Sequence, residues 1–140
     1  MLLLAFLTSF LSFLSLTSAV NFKNPLRNPE GSDPFIVWSG GYYYFLTTTW
    51  NDVQISRATT LNGLKTATKK VIYSSTTASR CCNVWAPEVH YFDGKWYVYF
   101  TAGQSANLDL QGVHVLEGKN PFPFFFFLKY ICFFRCSDDL

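Results

Sequence analysis

The residue best suited to chemistry in this 140-residue chain is Asp33, set in Gly31-Ser32-Asp33-Pro34-Phe35-Ile36. A carboxylate at the head of an apolar strand can take a proton from water, the task of a general base. Gly31 and Ser32 allow the backbone to curve tightly before it, and Pro34 removes one backbone donor beside it. An Asp before Pro also serves as an Asx-type turn that opens a strand, and position alone leaves the two uses level. His90 and His114 are isolated in the sequence, and no Cys/His spacing fits zinc. Neither a metal nor another cofactor is expected.

Composition narrows the classes of partner. The formal net charge is +2, only 14% of residues are charged, and the basic residues are scattered, with Lys69-Lys70 the one pair in the body of the chain. That is no nucleic-acid footprint. Aromatic residues reach 19%, and the body carries Trp38, Trp50, Trp85 and Trp96 together with tyrosines. Exposed rings of this kind stack on sugars, whereas the commoner fate of any one ring is burial between packed layers. Cys81 and Cys82 are adjacent; a bond elsewhere, or burial as free thiols, is expected ahead of a disulfide with each other.

The elements that must position Asp33 follow from an internal repeat. Asp33 to Tyr44 lies over Ala86 to Tyr97 without a gap, so that Pro34 falls on Pro87, Gly41 on Gly94 and Tyr44 on Tyr97, an offset of 53 (87 − 34). Each copy reads as a strand, a glycine turn and a second strand. A hairpin repeat of this length is the signature of a β-propeller blade, and the fold class is all-β. Such folds gather the first strands of all blades around an axis, which places Asp33 there. In the first blade, strands are expected at Phe35 to Trp38, Tyr42 to Thr49, Val53 to Arg57 and Lys70 to Tyr73. The alternation Val53-Gln54-Ile55-Ser56-Arg57 predicts one polar face. In the second blade they are expected at Glu88 to Phe92, Lys95 to Thr101 and Val113 to Leu116.

The two ends read differently. Leu2 to Leu16 is apolar and is followed by Thr17-Ser18-Ala19, a signal-peptide pattern with cleavage expected after Ala19, and hence secretion to the extracellular space. The run is too short to span a bilayer comfortably, and no stable membrane association is expected. Residues 20–120 hold about two blades, whereas closed propellers have four to eight, so the chain is expected to be a fragment of a larger ring. From Pro121 the run Phe122-Pro123-Phe124-Phe125-Phe126-Phe127 breaks both periodicities. Residues 121–140 are therefore expected to lie outside the fold, as a translated non-coding stretch would.

Taken in order, several segments resemble glycoside hydrolase family 43. They are Gly31-Ser32-Asp33-Pro34-Phe35-Ile36, Thr47-Thr48-Thr49-Trp50, Cys81-Cys82-Asn83-Val84-Trp85-Ala86-Pro87-Glu88-Val89-His90 and Tyr99-Phe100-Thr101-Ala102-Gly103. The likeness runs from about Asn24 to Gly118 and is nearest to secreted arabinan-degrading α-L-arabinofuranosidases and arabinanases. It implies a five-bladed propeller, an inverting glycosidase, and plant cell-wall polysaccharide, arabinan or arabinoxylan, as substrate. By the same resemblance Asp33 matches the general base. Trp85 would form an apolar wall of the sugar pocket, with Glu88 a hydrogen-bond acceptor or a supporting charge. Trp50, in Trp50-Asn51-Asp52, would border the sugar, or equally would pack inward at a turn. The family's general acid, and the aspartate that tunes it, come from later blades, beyond Gly118. Nothing around Glu117, Asp138 or Asp139 matches them. Inversion needs two carboxyls roughly 6.5 to 9.5 Å apart, so this chain by itself is expected to be inactive. The other readings are a β-xylosidase or arabinoxylan-debranching specificity, a non-catalytic carbohydrate-binding propeller, and a membrane-associated structural protein held by its apolar ends.

Overall fold

The structure, a computed structural model, describes residues 21–120 and the backbone of Phe126–Phe127. The expected signal segment 1–19 lies outside the described residues, as does the Phe-rich run apart from that pair. Two four-stranded antiparallel sheets follow one another along the chain. The first contains β1 (Ser32–Ser39), β2 (Tyr42–Thr48), β3 (Asp52–Ala58) and β4 (Lys70–Ser74), and the second β5 (Cys82–Phe92), β6 (Lys95–Gly103), β7 (Gln111–Gly118) and β8 (Phe126–Phe127). In each sheet the strands pair in sequence order, as blades of a propeller do. The place of a fourth strand beside β7 is taken by Phe126 opposite Gly118 and Phe127 opposite Glu117. The loop between β3 and β4 holds a single 3-10 turn, Asn62–Lys65.

The sequence repeat is also a repeat of backbone conformation. Gly40 and Gly41 turn β1 into β2 with φ of 55° and 84°, and Asp93 and Gly94 turn β5 into β6 with φ of 51° and 76°. Positive φ at both central residues matches the twist of the flanking strands, which is why glycine and aspartate stand there. The same offset relates Glu30 (φ 67°) to Asn83 (φ 51°) and Asp33 (φ 49°) to Ala86 (φ 49°). Left-handed geometry at a non-glycine residue costs about 1–2 kcal/mol. Its recurrence at matched positions marks it as part of the blade plan.

One face of the first sheet packs on one face of the second. Tyr44, Leu46, Val53 and Ile55 meet Val89, Trp96, Val98 and Phe100, all buried. Tyr73 of β4 closes the outer side, its ring 4.3 Å from that of Phe100. Full burial of side chains of this size is worth about 1.5–3 kcal/mol each, so the contact between the sheets is the main adhesive of the described unit. Many aromatic rings are spent here, but Trp38, Trp50 and Tyr91 stay more than half exposed.

Three expectations need correction. The inner strands β1 and β5 are longer than expected, because each resumes pairing across an irregularity, at Ser32/Phe35 and at Trp85/Glu88. The polar face of β3 is not solvated: Gln54 and Ser56 are buried. The segment before β1 covers Ser56, with the Arg27 guanidinium donating to Ser56 Oγ at 2.9 Å and lying 5.3 Å over the Phe45 ring, and Gln54 donates from Nε2 to Asp52 Oδ2 at 3.4 Å. Cys81 and Cys82 do bond to each other, as a disulfide between adjacent residues at the entry to β5.

Candidate functional site

The site is assembled where the inner strands of the two blades enter. At Asp33 the irregularity in β1 acts as a bulge, which re-aims a side chain out of the strand's alternation. The Asp33 carboxylate is thereby turned toward the second blade, where Oδ2 accepts a hydrogen bond from the Ala86 amide at 3.1 Å. Ala86 occupies the matching bulge of β5, and its left-handed φ aims the N–H outward. Asp33 is exposed, and among the described residues no ion pair neutralises it. An anchored, solvent-facing carboxylate can bind and deprotonate a water.

Trp50 and Trp85 join it from the two sides of the same seam. Trp50 lies just past β2 with φ 77°, forms a bridge with Val84, and accepts the Val84 amide on its carbonyl at 2.9 Å. Thr48 holds both chains, donating from its hydroxyl to the Val84 carbonyl and accepting the Trp50 amide. The indoles of Trp50 and Trp85 meet edge to face with centroids 5.7 Å apart. Trp50 remains 55% exposed, so this pair offers an open aromatic wall rather than a core contact. Asn83 braces the approach by donating from Nδ2 to the Gln104 carbonyl at 2.6 Å.

Glu88 is placed differently. It lies on β5 past the bulge, opposite Tyr99, and its carboxylate meets His90 Nε2 at 3.1 Å. The His90 ring in turn stands near Phe35 and Tyr99, at 5.8 and 6.0 Å. The structure thus brings Asp33, Trp50 and Trp85 to one seam and gives Glu88 a histidine partner. Among the described residues no group of three or more His, Cys, Asp or Glu side chains could hold a metal ion.

Sequence reasoning missed the Ala86 amide, the Thr48 clamp and His90. The signal for Ala86 was in the repeat, which lays it over Asp33; that the two would touch required the second blade in place. Away from the site, His114 stacks beside the Phe100 and Tyr73 rings, its centroid 5.5 and 6.3 Å from theirs, with Nε2 on the Ala102 carbonyl at 3.3 Å. Burial there pushes its pKa below the usual imidazole value. Tyr97 is pushed up, first by loss of solvation and then by the neighbouring Glu117 charge.

Two successive four-stranded blades, with a carboxylate and an open indole pair gathered at the seam between them, are the architecture of a β-propeller. The chain belongs to glycosyl hydrolases family 43, whose family model matches residues 22–125. It is 38% identical over 102 residues to an extracellular exo-α-(1→5)-L-arabinofuranosidase of Streptomyces avermitilis, which covers 71% of this chain and 21% of that protein. It is 38% identical over 109 residues to α-L-arabinofuranosidase 43 of Humicola insolens, covering 75% and 22% respectively. Among solved structures, an α-L-arabinofuranosidase from Lactobacillus brevis superposes with a TM-score of 0.62 at 31% identity, over 79% of this chain and 37% of that one. The chain therefore spans about a fifth to a third of the length of these proteins.

Proposed function

We propose that the full-length protein is an extracellular glycosidase that hydrolyses α-L-arabinofuranosyl links of cell-wall polysaccharide with inversion. In this reading Asp33 is the general base, and Trp50 and Trp85 are the walls on which the sugar ring rests. The observation that supports it most is the Asp33 carboxylate fixed on the Ala86 amide beside the two indoles. That anchor holds one carboxylate oxygen and leaves the other to face water, as a base must. Glu88, paired with His90, serves as a supporting charge and hydrogen-bond acceptor at the pocket edge. The names of the relatives favour an arabinofuranosyl substrate and secretion, and residues 1–19 are read as the signal peptide. Residues 20–120 are read as blades one and two, and 121–140 as a tail outside the fold apart from the Phe126–Phe127 pair. Inversion also needs a carboxylic acid on the opposite side of the sugar. The two described blades are therefore not expected to turn over substrate by themselves.

Proton NMR of the first-formed product from an α-1,5-linked arabino-oligosaccharide tests the reading. Release of β-arabinofuranose, before mutarotation, is expected. First-formed α-product, or no arabinose release by the full-length protein, would contradict it.

A further inference from the structure

We propose that the Thr48 hydroxyl is a positioning group for the sugar site: it holds the Trp50 indole against Trp85 and so sets affinity for the sugar ring. What this wall binds rests on the hydrolytic reading, whereas how the wall is held does not. Thr48 ends β2 at the seam, opposite Ser32 on one side and Val53 on the other, and it is buried. It shares a strand face with Tyr44 and Leu46, which pack on the second blade. Its bonds lie inside the seam between the two described blades.

A hydroxyl can donate once and accept as well, and Thr48 does both. It donates to the Val84 carbonyl of β5 and accepts the Trp50 amide at 3.1 Å. The Val84 amide returns to the Trp50 carbonyl at 2.9 Å, so three hydrogen bonds close a loop through Thr48, Trp50 and Val84. Both backbone polar groups of Trp50 are taken up in it, and Trp85 follows Val84 directly. Trp50 needs such a hold, because φ 77° is a conformation that a bulky side chain keeps only where its surroundings impose it. Burial does not impose it, since the indole is more than half exposed. Without the hydroxyl, the Val84 carbonyl loses its donor and Trp50 is free to leave the left-handed region. Asp33 keeps its own anchor on Ala86, so the loss falls on binding and not on the base.

The repeat supplies an internal control. One repeat later, Thr48 becomes Thr101 (48 + 53). Tyr97, Tyr99 and Thr101 alternate with Val98, Phe100 and Ala102, which pack toward the first blade, so Thr101 is turned away from it. Its hydroxyl is buried and has no hydrogen-bond partner among the described residues. The blade therefore presents the hydroxyl, and an adjoining inner strand supplies the carbonyl; the bond is a clamp between blades and not a cap within one. The repeat also lays Trp50 over Gly103, which carries no ring. Of these two matched positions, the clamp is coupled to an indole at the first alone.

The test is a double-mutant cycle in the full-length protein on an arabinofuranosyl substrate, read beside circular dichroism. Thr48→Val keeps the side-chain shape and removes the hydroxyl; KM is expected to rise about three- to tenfold, the worth of one hydrogen bond, with kcat nearly unchanged. Thr48→Ser keeps the hydroxyl and should restore the parent KM. In a Trp50→Ala background, Thr48→Val should raise KM by no more than about a further twofold, since it acts through the ring already removed. Thr48→Val should also abolish the exciton signal of the two indoles, giving the same difference spectrum as Trp50→Ala. Should the valine variant not fold, Thr48→Ala takes its place with the same expectations. A parent protein that releases no arabinose would overturn the hydrolytic reading and leave the spectra to judge the clamp. An unchanged KM in Thr48→Val, an undiminished effect in the Trp50→Ala background, or a persisting exciton signal would each overturn the proposal.

Discussion

The two blades use the same bulge for opposite purposes. In the first, a left-handed residue before proline is Asp33, and the bulge presents a carboxylate; in the second it is Ala86, and the bulge presents a backbone amide. The repeat therefore did more than duplicate a packing unit. It placed a donor and an acceptor at equivalent points, 53 residues apart (86 − 33), and blade packing brings them to 3.1 Å. The difference teaches that the candidate site is a property of the seam between blades and not of either blade alone.

Substitutions at Ala86 break or sharpen that comparison. Ala86→Pro removes the N–H that holds Asp33, and a proline ring cannot adopt φ 49°; a loss of about 3 kcal/mol or more is expected in denaturant melts. Ala86→Gly keeps the donor and relieves the left-handed strain. It should raise stability by about 1 kcal/mol, with the Asp33 contact retained. A loss of stability in the glycine variant would mean that the bulge geometry is not the one described.

A smaller effect contrasts the outer seam with the inner one. His114 lies buried against Tyr73 and Phe100, and its pKa is lowered by that burial. The unfolded chain takes up a proton near the ordinary imidazole value while the folded chain still resists it. Stability should thus be level above about pH 6.5 and fall as the pH drops below it, until the folded imidazole itself titrates. Denaturant midpoints from pH 8 to pH 5 check this, and replacing His114 with glutamine should flatten that part of the profile.

Much of the fold was legible in the sequence, because hairpin periodicity and the glycine turns are local signals. Asp93-Gly94 over Gly40-Gly41 was enough to align two blades. The limits of the inner strands were not legible, since a bulge interrupts pairing without interrupting the chain, and Asp33-Pro34 reads equally as a turn. The burial of Gln54 and Ser56 was hidden for another reason: alternation reports side-chain polarity, while Ser56 is covered by Arg27, supplied from before the first strand. The Cys81–Cys82 bond was not legible either, because adjacency permits a disulfide between the two without requiring it. At the candidate site, Asp33 and the two indoles were chosen by type and resemblance, and their meeting at one seam was not legible. The Thr48 clamp and the Ala86 amide were not, because both exist only when one blade is packed on the next.

The account rests most directly on Asp33, and the measurement is kcat and KM of Asp33→Asn in the full-length protein on an arabinofuranosyl substrate. Asparagine keeps an oxygen to accept the Ala86 amide, so the pocket and KM should be largely preserved. Only the proton acceptor is lost, and kcat should fall by roughly a hundred- to ten-thousand-fold. A variant that turns over within twofold of the parent would contradict the central claim.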